Sequence, residues 1–361
     1  MEETILWKIP TLSLQTQQAF VVDELREYVS DASEMICDGA TVAFPTETVY
    51  GLGADARNSD AVAQIFAAKG RPADNPLIVH IASQEQLGSF VMGVNEWEQQ
   101  LIDQFWPGPL TLILPVKADA LSPLVTAGLT TVGVRIPEHP VALALLAECN
   151  VPVAAPSANR SGKPSPTQAK HVWEDLHGRI NGIVDGGAAN VGVESTVVEV
   201  VDDMLYILRP GGITSEQLQA ALPQAKIRFS KQSDKDAPKS PGVKYAHYAP
   251  NGQLQLVTGA TSEEVVAFIN KSVVQARKHG EKTAVLAYSE MLPFYKADRC
   301  FDIGARNNPE QGAQQLYDVL RQCDAQGIDR IWAEYPPEGG LHEALRNRLF
   351  KAAAAHLIDL S

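Results

Sequence analysis

Short β-branched runs that recur between helical patterns constrain the fold of this chain more than any other feature. Six of them are bounded by Gly, Pro or Asn: TVAF (41–44), LIVHIA (77–82), LTLILPV (110–116), TVGVRI (131–136), VPVAA (151–155) and NGIVD (181–185). Such runs are typical of buried strands. Residues 195–201 and 205–209 flank a short polar turn and predict a hairpin. Because hairpin and alternating connections occur together, we expect a mixed sheet.

Helical patterns fill the intervals between these strands. Residues 58–70 predict a helix that Asn58 or Ser59 caps and that Gly70 ends. Similar patterns occupy 139–149, 167–177 and 214–222, the last with a capping-box arrangement. The first part of the chain therefore predicts an α/β fold, with a mixed twisted sheet and flanking helices.

The periodicity disappears between about residues 226 and 250. This stretch is rich in Lys and Pro and then becomes aromatic at Tyr245, His247 and Tyr248. Beyond it strands and helices alternate, in the order LQLVTG, 261–278, TAVLAY, 309–325, RIWAEY and 340–356. We therefore expect one domain over 1–225, a linker over 226–250 and a small βαβ, Rossmann-like domain over 251–361.

Targeting and redox signals are missing from the sequence. The N-terminus is acidic rather than basic and apolar, and no apolar run approaches the roughly 18 residues that span a bilayer. The four cysteines (Cys37, Cys149, Cys300 and Cys323) are far apart, with no C-x-x-C pair. These features predict a cytoplasmic protein with reduced thiols, without a membrane span, a zinc site or a disulfide framework.

The charge is unevenly distributed along the chain. Residues 1–225 hold 12 Lys and Arg against 27 Asp and Glu, which gives a net charge of −15. A domain with this charge repels a polyanion at long range, which argues against a dedicated nucleic-acid binder. Half of its basic residues lie in or beside the candidate segments described next: Lys69, Arg71, Arg135, Arg160, Lys163 and Arg209.

The first candidate segment is FPTETVYGLGADARN (44–58), which predicts a strand running into a glycine-rich turn. Its glycines let the backbone approach a ligand, and Thr46, Thr48 and Tyr50 offer hydroxyls. The segment is not a dinucleotide-binding fingerprint, because the third glycine is missing. The alternative is an ordinary strand and turn.

The second candidate segment is AAKGRPADNPLIVHI (67–81). Lys69 and Arg71 lie on either side of a glycine at the end of a helix, and a proline-rich loop around Asn75 follows. The following apolar strand carries a single polar residue, His80. Two alternatives stay open: the cations could simply complement the helix dipole, and His80 could be a satisfied core residue.

The third candidate segment is PVAAPSANRSGKPSPT (152–167), a strand that ends in a polar loop. Ser157, Asn159, Lys163 and Ser165 supply the hydroxyl, amide and ammonium donors that phosphate oxygens require. The alternative is a Ser/Pro loop that only caps the next helix. A P-loop is excluded, since the chain has no G-x-x-x-x-G-K-[ST].

Three further residues come from predicted strands. Arg135 lies late in an apolar strand, where an unpaired guanidinium is costly, so we expect it to meet a carboxylate or a phosphate. That carboxylate could be structural. Ser195 and Arg209 lie on the predicted hairpin and taken singly are ordinary strand content.

Together these segments resemble the YrdC-like threonylcarbamoyl-AMP synthases, in the long form with an additional C-terminal domain. The ordered motifs are PTETVYGLG, Lys69-Gly70-Arg71, NPL followed by His80, Ser157-Ala158-Asn159, SGKPSPT, EST, LRPG and SPGVKYAHYAP (240–250). The likeness covers nearly all of residues 12–250. The C-terminal domain matches in layout more than in motif.

The resemblance implies a nucleotidyltransferase. L-threonine, bicarbonate and ATP would give threonylcarbamoyl-AMP and pyrophosphate, the first step of N6-threonylcarbamoyladenosine formation in tRNA. Mg²⁺ would accompany the pyrophosphate, with no metal ligands from the protein. The product would pass to the tRNA threonylcarbamoyl transferase machinery, with weak or no direct tRNA binding by this chain.

The resemblance also implies roles for particular residues. Lys69 and Arg71 would be catalytic through contact with the phosphates. The residues expected to bind ATP are Arg71, Asn75, Thr131, Ser157, Asn159, Lys163, Ser165, Arg209 and Tyr248. Those expected to line the L-threonine pocket are Thr48, His80, Arg135 and Ser195, with Arg135 on the threonine carboxylate. The aromatic linker would fold over the nucleotide as a lid, the alternative being a tether whose aromatic rings only pack between domains.

Two other functions compete with this interpretation. A carbamoyltransferase of hydrogenase maturation uses a YrdC-like module, but it also needs Cys-rich zinc fingers and an acylphosphatase domain, which this sequence lacks. The second is an RNA-binding module of the same fold without adenylation activity, against which the −15 charge of the first domain argues.

Overall fold

A computed structural model describes residues 3–10, 20–230 and 248–361. The chain divides into two compact units. The first comprises Met1–Ser161, Ser165–Asn190 and Glu194–Lys244, and the second comprises Gly162–Pro164, Val191–Val193 and Tyr245–Ser361. The predicted domain limits at 225 and 250 stay a prediction. Most of the predicted linker, including Tyr245 and His247, lies outside the described residues.

The first unit is built on a sheet of eleven strands. They are β1 (Ile5–Lys8), β2 (Val42–Phe44), β3 (Gly51–Asp55), β4 (Ile78–His80), β5 (Leu110–Pro115), β6 (Thr131–Arg135), β7 (Val153–Ala154), β8 (Gly182–Asp185), β9 (Thr196–Val201), β10 (Met204–Arg209) and β11 (Lys226–Phe229). Their order is β1-β8-β2-β3-β7-β4-β6-β5-β9-β10-β11. Parallel pairs such as β4 with β6 and antiparallel pairs such as β9 with β10 confirm the mixed sheet.

Seven α-helices flank this sheet in the described part of the first unit. They are α1 (Phe20–Cys37), α2 (Ser59–Lys69), α3 (Glu96–Phe105), α4 (Pro123–Thr126), α5 (Pro140–Cys149), α6 (Ala169–Leu176) and α7 (Ser215–Ala221). Asn58 caps α2, and Gly70 ends it in the left-handed conformation (φ 63°). Thr214 and Gln217 form the predicted capping box of α7. Helix α1, which packs on α5, was not predicted, although Leu25, Val29, Ala32 and Ile36 are fully buried at helical spacing.

The prediction of a turn after β2 is wrong in one respect. Gly51 and Gly53 lie within β3, which pairs antiparallel with β2. Their lack of side chains makes room for a neighbouring ring: a Cβ on Gly53 would lie 2.8 Å from Phe44 Cε1. The glycines therefore permit close packing in a strand, where sequence propensity favours a turn.

The strand order gathers the candidate segments at the centre of the sheet. Strand β7 pairs antiparallel with both β3 and β4, and β4 pairs in parallel with β6. Two backbone bonds tie the first candidate segment to the third: Ala158 N donates to Tyr50 O (2.8 Å) and Leu52 N donates to Pro156 O (2.8 Å). The loops that leave these strands are thus neighbours.

The second unit has a five-stranded, wholly parallel sheet. Its elements are β12 (Gln253–Thr258), α8 (Ser262–Lys278), β13 (Thr283–Ala287), β14 (Arg299–Asp302), α9 (Pro309–Ala325), β15 (Arg330–Glu334), α10 (His342–Ala352) and β16 (Leu357–Asp359). The strand order is β14-β13-β15-β12-β16. This alternation confirms the predicted small βαβ fold. No helix in the described ranges is long and apolar enough to cross a membrane.

Candidate functional site

A buried guanidinium lies at the end of β6. Arg135 is 3% exposed, and its Nη2 donates to both carboxylate oxygens of Glu47 at 2.6 Å. Its Nη1 donates to Thr48 Oγ1 (3.0 Å), while its Nε has no acceptor among the described residues. Arg135 therefore meets a carboxylate, as predicted, and that carboxylate belongs to the protein. One buried donor of the guanidinium, Nε, is left without a hydrogen bond among the described residues.

His80 lies beside this ion pair, opposite Arg135 in the register of β4 and β6. Burial, reinforced by the charge of Arg135, lowers the pKa of His80 well below its usual value. The imidazole is therefore neutral at physiological pH. Its Nδ1 lies 3.3 Å from Ile78 O, and the ring meets Phe44 edge to face. Because the imidazole is neutral and fixed in place, it can donate or accept a hydrogen bond without adding charge to the pocket.

Ser195 and Arg209 are joined at the start of the hairpin. Arg209 Nη2 donates to Ser195 O (2.9 Å) and to Ser195 Oγ (3.1 Å). The Ser195 hydroxyl also lies 2.8 Å from Thr111 Oγ1 on β5. Gly211 permits this arrangement, because a Cβ there would lie 2.4 Å from the Ser195 carbonyl carbon. Arg209, which is expected to contact the nucleotide, thus holds Ser195, which is expected to contact threonine.

Lys69, the last residue of α2, is 2% exposed. Its Nζ donates to Ser157 O, to Asn159 O (2.8 Å) and to Asn159 Oδ1 (3.4 Å). Burial and the nearby charge of Arg71 lower the pKa of Lys69 well below its usual value, and Asp175 opposes this effect. The ammonium is thus surrounded by neutral oxygens and makes no carboxylate ion pair in the part of the chain that the structure describes.

The loop after α2 holds an unsatisfied amide. Arg71 Nη2 donates to Asn75 O (3.2 Å) and Pro76 O (3.1 Å), which curls the loop back on the helix. Asn75 is 1% exposed, yet neither its Nδ2 nor its Oδ1 has a hydrogen-bond partner among the described residues. A buried amide without partners costs free energy unless a ligand or water satisfies it. Asn75 is therefore a strong candidate for a ligand contact.

The loop after β7 is organised from within. Ser157 Oγ donates to Asn159 Oδ1 (2.6 Å), and Asn159 Nδ2 donates to Arg160 O (2.8 Å). Ser165, fully buried, donates to Glu194 Oε1 (2.6 Å). These bonds fix the direction of the hydroxyls and the amide before any ligand arrives.

Three further residues are expected to contact the nucleotide, one in the first unit and two in the second. Thr131 begins β6 and lines a largely apolar cavity of about 720 Å³ with Pro115, Lys117 and Leu129. Lys163 and Tyr248 belong to the second unit. There the Tyr248 ring packs against Tyr317, with centroids 5.3 Å apart. The expected contacts of Thr131, Lys163 and Tyr248 with ATP stay predictions.

Three residues that were not predicted for the site are buried and bonded to a candidate residue: Glu47, Thr111 and Glu194. The signal for Glu47 was available, since it is the one acidic residue in the polar motif that precedes β3. No group of three or more His, Cys, Asp or Glu side chains that could hold a metal occurs within the described ranges.

Family models match almost the whole chain. One, described as telomere recombination and named for Sua5, YciO and YrdC, matches residues 34–211. The other, described as the C-terminal domain of threonylcarbamoyl-AMP synthase, matches residues 213–354.

Individual relatives are similar over their full length. The threonylcarbamoyl-AMP synthase of Bacillus subtilis is 47% identical, over 96% of this chain and 100% of its own. That of Pyrococcus abyssi is 43% identical, over 94% and 99%. The crystal structure of P. abyssi Sua5 in complex with L-threonine superposes with a TM-score of 0.88 at 40% identity, covering 99% of each chain.

Proposed function

The chain belongs to the threonylcarbamoyl-AMP synthase family, and we propose that it joins L-threonine, bicarbonate and ATP to give threonylcarbamoyl-AMP and pyrophosphate. The main support for this proposal is that the first unit contains two buried cations with different surroundings. Arg135 is neutralised by a carboxylate, whereas Lys69 is surrounded by neutral oxygens. The first suits a small zwitterion and the second suits a triphosphate.

Arg135 would bind the carboxylate of threonine through its remaining Nε donor. Thr48 and His80 would flank the threonine side chain and amine, since both already face or adjoin the guanidinium. A neutral His80 adds no charge that would repel the threonine ammonium. Ser195 would contribute its hydroxyl, held by Thr111, as the fourth contact of this pocket.

ATP would bind along the loops after α2 and β7. Asn75 supplies an amide without partners, and Arg71 supplies the guanidinium beside it. Ser157, Asn159 and Ser165 would add oriented polar groups. Lys69 would act through its charge while holding the Ser157–Asn159 loop. Lys163 and Tyr248 would complete the nucleotide contacts.

Thr131 offers a place for the nucleoside. The bond from Leu77 N to Val125 O (2.8 Å) brings the segment after Asn75 beside helix α4, whose Thr126 lines the same cavity as Thr131. A largely apolar cavity with a few polar groups suits a nucleobase. We assign the base to this cavity and the phosphates to Asn75 and Arg71.

The chemistry requires no covalent intermediate on the protein. The threonine amine adds to CO₂ derived from bicarbonate and loses a proton to give the carbamate. A carbamate oxygen then attacks the α-phosphorus of ATP, the bond to the bridging oxygen of the β-phosphate breaks, and pyrophosphate leaves. The protein would accelerate this step by positioning both substrates and by neutralising phosphate charge.

Mg²⁺ would enter with ATP as part of the substrate. The described residues hold no metal-binding cluster, so the protein is expected to contact the ion only through the nucleotide. We further propose that the protein works in the cytoplasm, hands its product to the tRNA threonylcarbamoyl transferase machinery and binds tRNA weakly or not at all.

Pyrophosphate release tests the proposed reaction. The full chain is incubated with ATP, L-threonine and labelled bicarbonate, and each substrate is left out in turn. Release that needs both threonine and bicarbonate, with label in a threonine-containing nucleotide, is expected. Release without threonine would refute the proposal. Salt-sensitive tRNA binding without any ATP turnover would favour the RNA-binding alternative.

A further inference from the structure

The second unit has its own topological switch point. Strands β12 and β15 are neighbours, but their connections leave in opposite directions: β12 leads through α8 toward β13, and β15 leads through α10 toward β16. Right-handed crossovers then place α8 and α10 on opposite faces of the sheet. In open parallel sheets a crevice forms at this position, beyond the carboxyl ends of the two strands, and ligands bind there.

A cavity of about 120 Å³ occupies this crevice. It is lined by the ends of β12 and β15, by the loop into α8, and by Arg306 from the loop before α9. With about 120 Å³ against about 720 Å³, it is much smaller than the cavity that Thr131 lines in the first unit. Its volume suits a molecule of a few heavy atoms.

Glu334, the last residue of β15, is 3% exposed and borders this cavity. Arg306 Nη2 donates to its Oε2 (2.7 Å), but its Oε1 has no hydrogen-bond partner among the described residues. The hydroxyl of Tyr295 and the backbone N–H of Tyr288 both influence the carboxylate, but neither meets hydrogen-bond geometry with Oε1. A buried carboxylate oxygen without a hydrogen bond is stabilised when a donor such as an ammonium group binds to it.

The opposite wall of the cavity, at the start of α8, carries hydrogen-bond donors. The loop Gly259–Ala260 leads into α8, a helix of 17 residues. Its capping box engages the N–H groups of Thr261 and Glu264. The N–H groups of Ser262 and Glu263 have no intrahelical acceptor and point toward the loop, which suits a carboxylate.

We infer that this crevice binds a small zwitterionic amino acid, with its ammonium on Glu334 Oε1 and its carboxylate at the start of α8 and on Arg306. Arg306 pairs with Glu334 and also lies 4.0 Å from Glu290, so a ligand that brings an ammonium group along with its carboxylate fits better than a simple anion. This second site goes beyond the proposed reaction and does not depend on it.

Calorimetric titration of the full chain with glycine, L-alanine, L-serine and L-threonine tests the site. The titrations use an Arg135→Lys background, which weakens the threonine pocket proposed for the first unit. At least one of the four is expected to bind, and Glu334→Gln or Arg306→Gln to raise its Kd at least about tenfold. Because Arg306 is 41% exposed, its variant remains informative if Glu334→Gln does not fold.

Arg277→Gln is the matched control, since it removes an ion pair with Asp298 that is not part of the cavity. Its Kd should stay within about twofold of the parent. The inference is overturned if none of the four amino acids binds, or if binding is unchanged by both cavity variants. If the unsubstituted chain released no pyrophosphate while amino-acid binding in the second unit was retained, that result would count against the proposed reaction alone.

Discussion

The two buried cations of the first unit are held in opposite ways. Arg135 shares its charge with the carboxylate of Glu47, at 2.6 Å, and both side chains are buried. Lys69 donates to backbone and amide oxygens and has only a through-space effect from Asp175. A compensated cation organises a pocket, whereas an uncompensated one attracts an anion. The difference separates the region proposed for threonine from the region proposed for phosphates.

Breaking the compensated pair should have the largest effect. Glu47→Ala leaves the Arg135 guanidinium buried without a counter-charge, and we expect a loss of about 3–5 kcal/mol in the free energy of unfolding, measured in urea. The control Glu148→Gln removes an exposed pair with Arg26 at 3.9 Å and should cost about 0–1 kcal/mol. Equal losses in the two variants would show that burial of the Glu47 pair adds nothing.

Removing the uncompensated cation should affect catalysis more than stability. Lys69→Met keeps the length of the side chain and relieves a desolvated charge, although two carbonyl oxygens lose a donor. We expect kcat/KM for ATP to fall about 10²–10³-fold, as when one positioned donor to a transition state is lost. The KM for threonine should change little. A fall confined to threonine would reverse the assignment of the two regions.

Acid should destabilise the protein through two buried histidines, His139 and the His80 that lies beside the compensated cation. Burial lowers the pKa of His139 to about 4, and burial together with the charge of Arg135 lowers that of His80. Below pH 6.5 the unfolded histidine is protonated while the folded one is not, so stability falls as the pH drops toward 4. For His139 alone this amounts to about 3 kcal/mol.

Urea unfolding across this pH range measures the effect, and His139→Gln should flatten the dependence. The titration of Lys69 also makes stability rise with pH, because the pKa of Lys69 is likewise lowered in the folded state. Its destabilising charge disappears as the pH rises through that lowered value. A protein whose stability is constant between about pH 4 and pH 6.5 would contradict the burial of both imidazoles.

Loosening the bond between strands β5 and β9 should have the smallest effect. Thr111→Val removes one of the two partners of the Ser195 hydroxyl, the other being Arg209, and should cost about 1 kcal/mol, with a rise in the KM for threonine. Thr126→Val, which removes only a 3.4 Å bond to Pro123 O, is the control for stability. A larger effect on the KM for ATP would place Ser195 with the nucleotide.

Much of this arrangement can be predicted from the sequence, because local chemistry specifies it. The β-branched runs and the caps Asn58, Gly70 and Thr214 gave strands and helices that the structure confirms. Strand β3 could not be predicted in this way, since its glycines are required by the Phe44 ring from another strand. Local propensity contains no information about such a neighbour.

The hydrogen-bond partners of the site residues were harder to predict than the site residues themselves. Arg135 can be identified from the sequence because it is a charged residue in an apolar run. Its partner Glu47 lies 88 residues away, and their pairing depends on strand order. Thr111 is polar yet common in strands, and its bond to Ser195 appears only once β5 pairs with β9. Long-range pairing, rather than residue type, decided these contacts.

Proton uptake on ATP binding tests the contrast between the two cations most directly. Calorimetry at about pH 9, in two buffers of different ionisation enthalpy, counts the protons taken up when ATP or threonine binds. Because a nearby triphosphate raises the lowered pKa of Lys69, ATP binding should take up protons, and Lys69→Met should abolish the uptake. The amine of threonine itself titrates near this pH, so threonine binding should give the same proton count in the parent chain and in Lys69→Met. ATP binding without proton uptake, or uptake that persists in Lys69→Met, would contradict the account.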